Sequence, residues 1–451
     1  MSVKVWINQI RETTSGAQNE EAAQRLATLF TPNIDDPQVS SLQNDIWDNR
    51  VDFETQIEHM GLYDDEWPGF IELCKSYLRF CRDVDPNDLV GSYDLYAQFM
   101  TDLQTAFSNT KGAILKVTVV IVAKAVVSLS LLLDNEHNSA HEEMIRTSYA
   151  SSLLLKLFNS IRGEKIDPAL MAETQGTLLT KKSIILFVAT LLCRVYFKLG
   201  TPSSCANVFS NIHTAKIKFS SYSRADKVEY RYYLGRFYLT KNQLGKAYRH
   251  LHWAFDNCLA TSSNKRLICQ YLIPPAMLLG ELPKQQLLQH FGLGQIYGPF
   301  VKSLKQCNYT AFMRHLETYP FKQWFLQRGI YALLKSRSMI LFHRLALYKL
   351  WKCNEKSSTI HLSNYQTSLM ISMNGHPDSD ALSPQHDQEH QNIESICISL
   401  ISQGFVMAKI FPRNKALRLR ANDPFPMVSK VHKVSSQDSN LLTGHESWMN
   451  D

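Results

Sequence analysis

Two pairs of histidines in this 451-residue sequence have the spacing that a zinc-binding helix uses. The stretch "HDQEH", His386 to His390, fits the HxxEH pattern, in which one helical face presents two imidazoles with a glutamate beside the metal. Its surroundings are rich in Pro, Ser and Asp and lack the apolar stripe that would hold such a helix against a core. "HNSAH", His137 to His141, lies beside a polar turn without a third ligand. We therefore expect surface histidines at both places, with no metal site and no other cofactor.

The patterns of other enzyme classes are missing from the sequence or incomplete. "GLGQIYG" places Gly292, Gly294 and Gly298 close to the spacing of a dinucleotide-binding loop, but the third glycine is one residue late and a helix is predicted before the first. There is no phosphate-binding P-loop and no GxSxG nucleophile elbow. The nine cysteines include no CxxC pair, which favours reduced thiols over a disulfide framework. The sequence predicts a protein that is not an enzyme.

The distribution of charge is more informative than any of these motifs. The net charge of +7 is uneven: residues 1–100 carry 7 Lys and Arg against 18 Asp and Glu, residues 301–356 carry 11 against 2, and residues 405–433 carry 7 against 1. Basic side chains without compensating acids can neutralise phosphates and release the counterions of a nucleic acid. Because the N-terminal part of the sequence is acidic and the C-terminal part is basic, a polyanion is expected to contact the C-terminal half.

Helices must position most of these residues, because apolar residues recur at three and four positions from about Ile57 to Leu350, with short turns between the repeats. Consecutive helices with short links predict antiparallel hairpins stacked into an all-α helical solenoid. "YYLGRFYLTKNQLGKAYRHLHWAF" resembles a tetratricopeptide-like hairpin, with Gly235 where one helix must approach the next. With 45% hydrophobic residues, the chain can bury a core over two or three structural units.

The stretch "EYRYYLGRFYL", Glu229 to Leu239, has two interpretations. Its rings and arginines would suit stacking on nucleic-acid bases if the rings were exposed. On a helix, however, the apolar members recur at three and four residues and form one stripe that a neighbouring helix must cover. Rings that stack on bases usually lie on a sheet or an OB-type surface. We therefore expect a buried stripe formed by Tyr230, Tyr233, Leu234, Phe237 and Tyr238.

The pattern changes after Trp351. A short helix in "HLSNYQTSLMISM" and a second in "NIESICISLISQ" flank a polar insertion, residues 374–391, and two strand-like stretches, "FVMAKIF" and "ALRLR", follow with the turn "PRNK" between them. Helix, helix, strand, turn and strand is the order of a winged-helix subdomain with a small β-hairpin. In the second strand Leu417 and Leu419 should face one side, and Ala416, Arg418 and Arg420 the other.

The candidate nucleic-acid-binding residues lie in the helices before the wing, where five cations are close together, and in the wing hairpin. A solvated basic face, or a protein-docking surface, is the alternative interpretation of the same residues. The candidates are Lys335, Arg337, Arg344, Lys349, Lys352, Lys409, Arg413, Lys415, Arg418 and Arg420.

The longest apolar stretch, "AILKVTVVIVAKAVVSLSLLLD", is interrupted by Lys116 and Lys124, so we expect a buried helix and no membrane insertion. No secretory leader pattern opens the chain, which favours the cytosol or nucleus.

Five stretches together resemble one family: "YLRFCRDVDPND", "VEYRYYLGRFYL", "LIPPAMLLG", "FLQRGIYALLKSRSMILFHRLALYKLWK" and "ISQGFVMAKIF…LRLRANDPFP". A helical solenoid that runs into a winged helix is the architecture of PCI domains, and the stretches look closest to the PCI subunit of the TREX-two transcription-export complex. The first ~50 residues and the insertion 374–391 depart from this pattern.

The resemblance implies a non-catalytic adaptor subunit in the nucleus, associated with the nuclear pore. It also allows a fraction of the protein in the cytoplasm. It implies a large scaffold subunit with a PCI-like fold, a small acidic disordered subunit, and RNA or DNA bound without strong sequence preference. The scaffold subunit of a signalosome-like complex, with no direct nucleic-acid role, is the alternative. The acidic subunit would suit the net basic region 194–270, whose cations include Arg194, Lys198, Lys216, Lys218, Arg224, Lys227, Arg231, Arg236, Lys246 and Arg249.

The expected domains follow from these elements. They are an N-terminal segment of undefined structure, 1–55; an N-terminal helical solenoid, 56–200; the helical part of a PCI domain, 201–356; a winged helix, 357–425, with a disordered insertion, 374–391; and a flexible tail, 426–451.

Overall fold

The computed structural model describes residues 1–16, 18–50, 52–59, 66–137, 144–165, 179–215, 217–374, 389–431 and 446–449. The chain divides into two compact units, Met1–Tyr230 with Ser447–Asp451, and Arg231–Glu446. This division falls inside the range 201–356, which we expected to form one helical part. The insertion 374–391 lies almost wholly outside the described residues.

The first unit begins with helices that the sequence left undefined. They are α1 (Val3–Ser15), α2 (Glu20–Leu29), α3 (Pro37–Asn49) and α4 (Phe53–Glu58). Each begins at a polar side chain that accepts a hydrogen bond from a free backbone amide of the first turn, which favours a helix start at that residue. These N-caps are Ser2, Asn19, Asp36 and Asp52. The indole of Trp6 stacks on the ring of Tyr77, with 5.4 Å between centroids, and meets the ring of Phe30 edge to face, with 5.6 Å between centroids. This segment therefore joins the core of the unit.

The rest of the first unit is helical as well. Its helices are α5 (Pro68–Asp83), α6 (Leu89–Ser108), α7 (Lys116–His137), α8 (Ile145–Arg162), α9 (Ile185–Lys198) and α10 (Cys205–Thr214). In the same unit the ring of Trp448 lies 5.3 Å from Phe219 and 5.8 Å from Tyr230, edge to face. The C-terminal end of the chain therefore contributes an aromatic side chain to this unit.

The most apolar segment, Thr110–Asn135, could cross a membrane by its length and composition alone. In the structure α7 packs against α2, α6 and α8. Its two lysines have partners: Lys116 Nζ lies 2.5 Å from a carboxylate oxygen of Glu20, and Lys124 Nζ lies 5.1 Å from the ring centroid of Phe187. Because of these contacts, α7 is a core helix of the first unit.

The second unit contains the hairpin array that the sequence predicted. Its helices are α11 (Arg224–Thr240), of which residues from Arg231 onward belong here, α12 (Leu244–Asn257), α13 (Ser263–Leu278), α14 (Gln285–His290), α15 (Gly294–Gln306), α16 (Tyr309–Glu317), α17 (Phe321–Gln327) and α18 (Tyr331–Cys353). A β-carbon on Gly235 would lie 2.6 Å from Cγ of Leu251. The glycine therefore marks a close approach of α11 and α12, as expected, and the aromatic stripe of α11 is buried.

The winged helix follows α18 and confirms the predicted fold class. Its elements are β1 (Thr359–His361), α19 (Leu362–Ser372), α20 (Glu389–Ser402), β2 (Ala408–Phe411) and β3 (Ala416–Leu419). The three strands form an antiparallel sheet in the order β1-β3-β2. Strand β1 was not predicted, because its three residues, "TIH", are too few to show an alternating pattern.

Two described residues of the tail, Val428 and Glu446, contact other parts of the second unit. Val428 is buried, and a β-carbon on Gly280 would lie 3.6 Å from its side chain. Further on, Glu446 contacts a buried histidine of α12, His250, as described below. Residues 432–445 lie outside the described part.

Candidate nucleic-acid interface

The wing sheet has one buried face and one exposed face, and the cross-strand register assigns each residue to a face. Ile360 pairs with Leu417, and Leu417 pairs with Ile410, so these three side chains share the inner face. Residues directly opposite each other across an antiparallel ladder point to the same side of the sheet. The outer face therefore carries the residues at alternate positions: Thr359, His361, Lys409, Phe411, Ala416 and Arg418.

Two of the predicted cations face each other on this outer face. Lys409 is directly opposite Arg418, and both side chains are exposed. Like charges in directly opposed positions of a sheet are destabilising. Within the described ranges, neither side chain has a carboxylate at ion-pair distance. The pair would gain stability from an anion bound above it.

The turn between β2 and β3 carries two more predicted cations. It is a single 3₁₀ turn, Pro412–Asn414, closed by Lys415 in the left-handed conformation with φ of 45°. The backbone amide of Lys415 donates to the carbonyl of Pro412 at 3.0 Å. Arg413, Lys415 and the following Arg420 are all exposed. The structure thus brings together all five predicted wing cations around one short hairpin.

The predicted cations of α18 are spread around that helix. At about 100° per residue, Lys335 and Arg337 point roughly 160° apart, and Lys352 lies about 25 Å along the axis from Lys335. Lys335 Nζ is 3.1 Å from a carboxylate oxygen of Glu317, whose pKa is lowered to about 2 by hydrogen bonds from Tyr331 and from lysines. Lys322 Nζ lies 2.9 Å from the other oxygen of the same carboxylate, so the charge of Lys335 is only partly matched within the chain.

The remaining cations of α18 differ in their surroundings. Lys352 Nζ lies 4.6 Å from the ring centroid of Tyr348, Lys349 is half-buried, and Arg337 is exposed. The α18 cations do not form one patch with one another.

Arg344 has a structural role in this fold. Its Nε donates to the carbonyl of Phe405 at 3.3 Å, and Nη2 donates to the carbonyls of Phe425 at 3.3 Å and Pro426 at 2.8 Å. Burial lowers the pKa of the guanidinium. These bonds hold α18 to the segments on either side of the β2–β3 hairpin, so Arg344 is not available to a phosphate. The sequence could not show this, because the carbonyl partners are more than sixty residues away.

In the net basic region 194–270, some of the cations are buried and others are exposed. Arg231 is 6% exposed with its guanidinium carbon 4.4 Å from the ring centroid of Trp253, and Lys246 is 2% exposed with Nζ 5.4 Å from the ring of Tyr238. Aromatic rings cover both cations, so they contribute little to the exposed basic surface of this region. Arg236 lies with its guanidinium carbon 4.3 Å from the ring of Tyr271. Of the ten cations named from the sequence, five are exposed: Arg194, Lys198, Lys218, Arg224 and Arg249. Lys227 is half-buried, and Lys216 lies outside the described residues.

Of the three enzyme-like motifs, only the dinucleotide-like stretch lies among residues whose side chains the structure describes. Among the described residues there is no group of three or more His, Cys, Asp or Glu side chains that could hold a metal ion. The side chains of "HDQEH" and "HNSAH" lie outside the described part. In "GLGQIYG" Gly292 lies between α14 and α15, whereas Gly294 is the first residue of α15 and Gly298 is inside it. The stretch therefore joins two helices and does not follow a strand.

Sequence reasoning missed two members of the outer face and one buried acid. His361 lies on the outer face through the unpredicted pairing of β1 with β3, and Phe411 lies there through the predicted hairpin of β2 and β3. Glu446 contacts Tyr238 and His250 from the far end of the chain. Only the alternation of "AKIF" could have placed Phe411 beside Lys409.

The chain is similar to several known proteins along most of its length. No protein-family model matches it. A PCI domain-containing protein of Schizosaccharomyces pombe is 27% identical over 454 residues, covering 96% of this chain and 97% of that protein. The nuclear mRNA export protein THP1 of Saccharomyces cerevisiae is 24% identical over 371 residues, covering 76% of this chain and 78% of that protein. PCI domain-containing protein 2 of Xenopus laevis is 28% identical over 255 residues, 56% of this chain and 59% of that protein.

Proposed function

We propose that this chain, a homologue of the PCI domain-containing proteins, is a non-catalytic adaptor subunit of a nuclear complex that couples transcription to mRNA export at the nuclear pore. The relative named a nuclear mRNA export protein aligns with about three quarters of the chain, which supports the role in export. In this proposal the chain acts by binding, and its partners are a large scaffold subunit with a PCI-like fold, a small acidic disordered subunit, and RNA or DNA.

The observation that carries the nucleic-acid part is the group of exposed cations on the wing hairpin, which we call the wing patch. Its members have no ion-pair partner within the described ranges, and two of them are directly opposed across the sheet. Such a group can contact a phosphate backbone without reading bases, so affinity should depend strongly on salt and weakly on sequence. The wing patch consists of Lys409, Arg413, Lys415, Arg418 and Arg420.

The wing patch is tested by charge reversal in the full-length chain bound to its scaffold subunit. The variant Arg413→Glu/Lys415→Glu/Arg418→Glu/Arg420→Glu should lose RNA affinity at low salt and show a shallower dependence of log Kd on log salt. Each lost phosphate contact lowers that slope by about 0.7 for a single strand. Co-purification with the scaffold should be unchanged.

A matched control separates local contact from bulk charge. The variant Lys284→Glu/Lys302→Glu/Lys305→Glu/Arg314→Glu makes the same change in net charge at exposed positions of the same unit, which lie before α14, in α15 and in α16. It should retain most of the RNA affinity. Equal affinity for RNA in wild type and the wing variant would contradict the nucleic-acid role and favour a signalosome-like scaffold subunit. Diffuse localisation, in place of enrichment at the nuclear rim, would count against the pore.

A further inference from the structure

The outer face of the wing sheet presents two cross-strand rows with different chemistry. One row, Thr359–Arg418–Lys409, is polar and cationic. The other row, His361–Ala416–Phe411, places one small residue between two rings. The rows lie two residues apart along each strand, a distance of about 7 Å. Charge and exposed aromatic surface are therefore adjacent on a single face.

The spacing of the three strands leaves room for a planar group between the two rings of this row, which we call the slot. Strands β1 and β2 flank β3, so the backbones that carry His361 and Phe411 are about 10 Å apart. A flat group in contact with two rings needs about 7 Å between their planes. Ala416 forms the floor of this slot and is 7% exposed, while Phe411 is 40% exposed. Within the described residues Phe411 has no aromatic neighbour.

We infer that this face binds single-stranded nucleic acid, with an unpaired base between Phe411 and His361 above Ala416 and the adjoining phosphates on Lys409 and Arg418. An aromatic ring exposed on a sheet beside basic side chains is the arrangement on which proteins stack unpaired bases. A base inside a duplex is already stacked on its neighbours and would have to leave the stack to enter the slot. This inference rests on the proposed nucleic-acid role of the wing patch and adds a preference for single strands.

Charge favours nucleic acid over an apolar peptide as the occupant. The exposed ring of Phe411 lies beside Lys409 and immediately before the turn that carries Arg413 and Lys415. An apolar segment docked on Phe411 would leave these cations without partners, whereas a nucleic-acid strand supplies both a π-face and an anionic backbone.

Fluorescence anisotropy of the full-length chain tests the inference with two probes: a labelled oligouridylate of about 12 nucleotides, a length within the range of single-strand sites, and an RNA duplex of the same length. Phe411→Ala should weaken binding of the single strand about tenfold, which is the loss expected for one stacked base. It should leave duplex binding nearly unchanged. Phe411→Trp should restore single-strand affinity because the ring is present.

A second variant tests the slot without removing a ring or a charge. Ala416→Val adds two methyl groups to the floor between the rings and suits a strand. It should weaken single-strand binding and leave duplex binding unchanged, with melting temperature as the check on folding. Tyr149→Ala, which removes another exposed ring (48%) in the first unit, is the matched control and should change neither probe.

The charge variant Lys409→Gln/Arg418→Gln separates the two proposals, because it should weaken both probes and reduce their salt dependence. Suppose that the charge variant weakens both probes, while Phe411→Ala and Ala416→Val either weaken both probes equally or change neither. The stacked base would then be overturned, and the wing patch would be supported. If the charge variant changes neither probe, the wing patch fails and the inference fails with it.

Discussion

Glu446 places a carboxylate oxygen 3.3 Å from Nε2 of His250, a buried side chain in the middle of α12. The hydroxyl of Tyr238, on α11, donates to the other oxygen of the same carboxylate. Burial alone would raise the pKa of Glu446, but its contacts with His250, Tyr238 and Arg249 outweigh burial and lower it to about 2. Burial lowers the pKa of His250. A residue of the C-terminal tail is thus an ionised part of the second unit's interior.

Glu446→Gln should destabilise the chain at neutral pH by about 2 kcal/mol, because a charged hydrogen-bond acceptor is lost from a mostly buried site. The pH dependence has a defined sign. The folded-state pKa is below the usual value of 4.5, so the stabilisation by Glu446 is complete above about pH 5 and is lost as pH falls towards 2. Wild type should therefore lose more stability between pH 5 and pH 2 than the variant. Urea denaturation across this pH range measures the difference.

The matched control for Glu446→Gln is Asp256→Asn. Asp256 also forms a carboxylate–histidine pair, with its oxygen 2.8 Å from Nδ1 of His252, but both side chains are about half exposed. Exposed ion pairs contribute little to stability. Asp256→Asn should change the free energy of unfolding by less than about 0.5 kcal/mol. Equal effects of the two variants would mean that Glu446 does not occupy the buried position.

Tyr238→Phe tests the same site from the other partner. The variant keeps the ring, which stacks on His250 with centroids 5.6 Å apart, and removes only the hydroxyl. We expect a loss of about 1–2 kcal/mol in the free energy of unfolding. In a double-mutant cycle with Glu446→Gln, the two losses should be less than additive, since each variant weakens or removes the same charged hydrogen bond. Strict additivity would show that the two side chains do not interact.

Gly235→Ala should destabilise the second unit, because its β-carbon would lie 2.6 Å from Leu251 Cγ and 3.3 Å from the carbonyl oxygen of Ala247. Overpacking of this kind costs about 1–3 kcal/mol. Leu251→Ala in the same chain should recover part of the loss, because it removes the obstructing side chain. Gly245→Ala, near the start of α12 with nothing within 4 Å, is the control and should be neutral or stabilising. A neutral Gly235→Ala would contradict the close approach of α11 and α12.

The residues that could be predicted from sequence are those whose environment is set by local periodicity. The stripe of Tyr233 and Phe237 repeats at helical spacing, and the alternation in "ALRL" sets Leu417 inward and Arg418 outward; both patterns are local. The role of Arg344 depends on distant carbonyls, and the covering of Arg231 by Trp253 depends on how two helices pack. Counting charges therefore overestimates the exposed basic surface, since long side chains can turn inwards onto rings and carbonyls.

Arg344→Lys should lower stability without changing the salt dependence of RNA binding. A single ammonium cannot reproduce the fork of donors that reaches the carbonyls of Phe405, Phe425 and Pro426. Leaving part of this set unpaired costs about 2 kcal/mol. Hydrogen exchange should accelerate at the amide of Met407, which donates to the carbonyl of Pro424 at 2.8 Å beside the freed segment.

Arg337→Lys, an exposed position on the same helix, is the control for Arg344→Lys and should leave stability and exchange unchanged. RNA titrations of both variants, at a temperature where each is folded, complete the test. If Arg344→Lys leaves stability unchanged while lowering RNA affinity and the salt slope as much as the Lys409→Gln/Arg418→Gln variant, then Arg344 contacts phosphate and does not clamp the hairpin. A loss of stability with an unchanged salt dependence of RNA binding would show that Arg344 supports the fold of the wing and does not contact phosphate, unlike the cations of the wing patch.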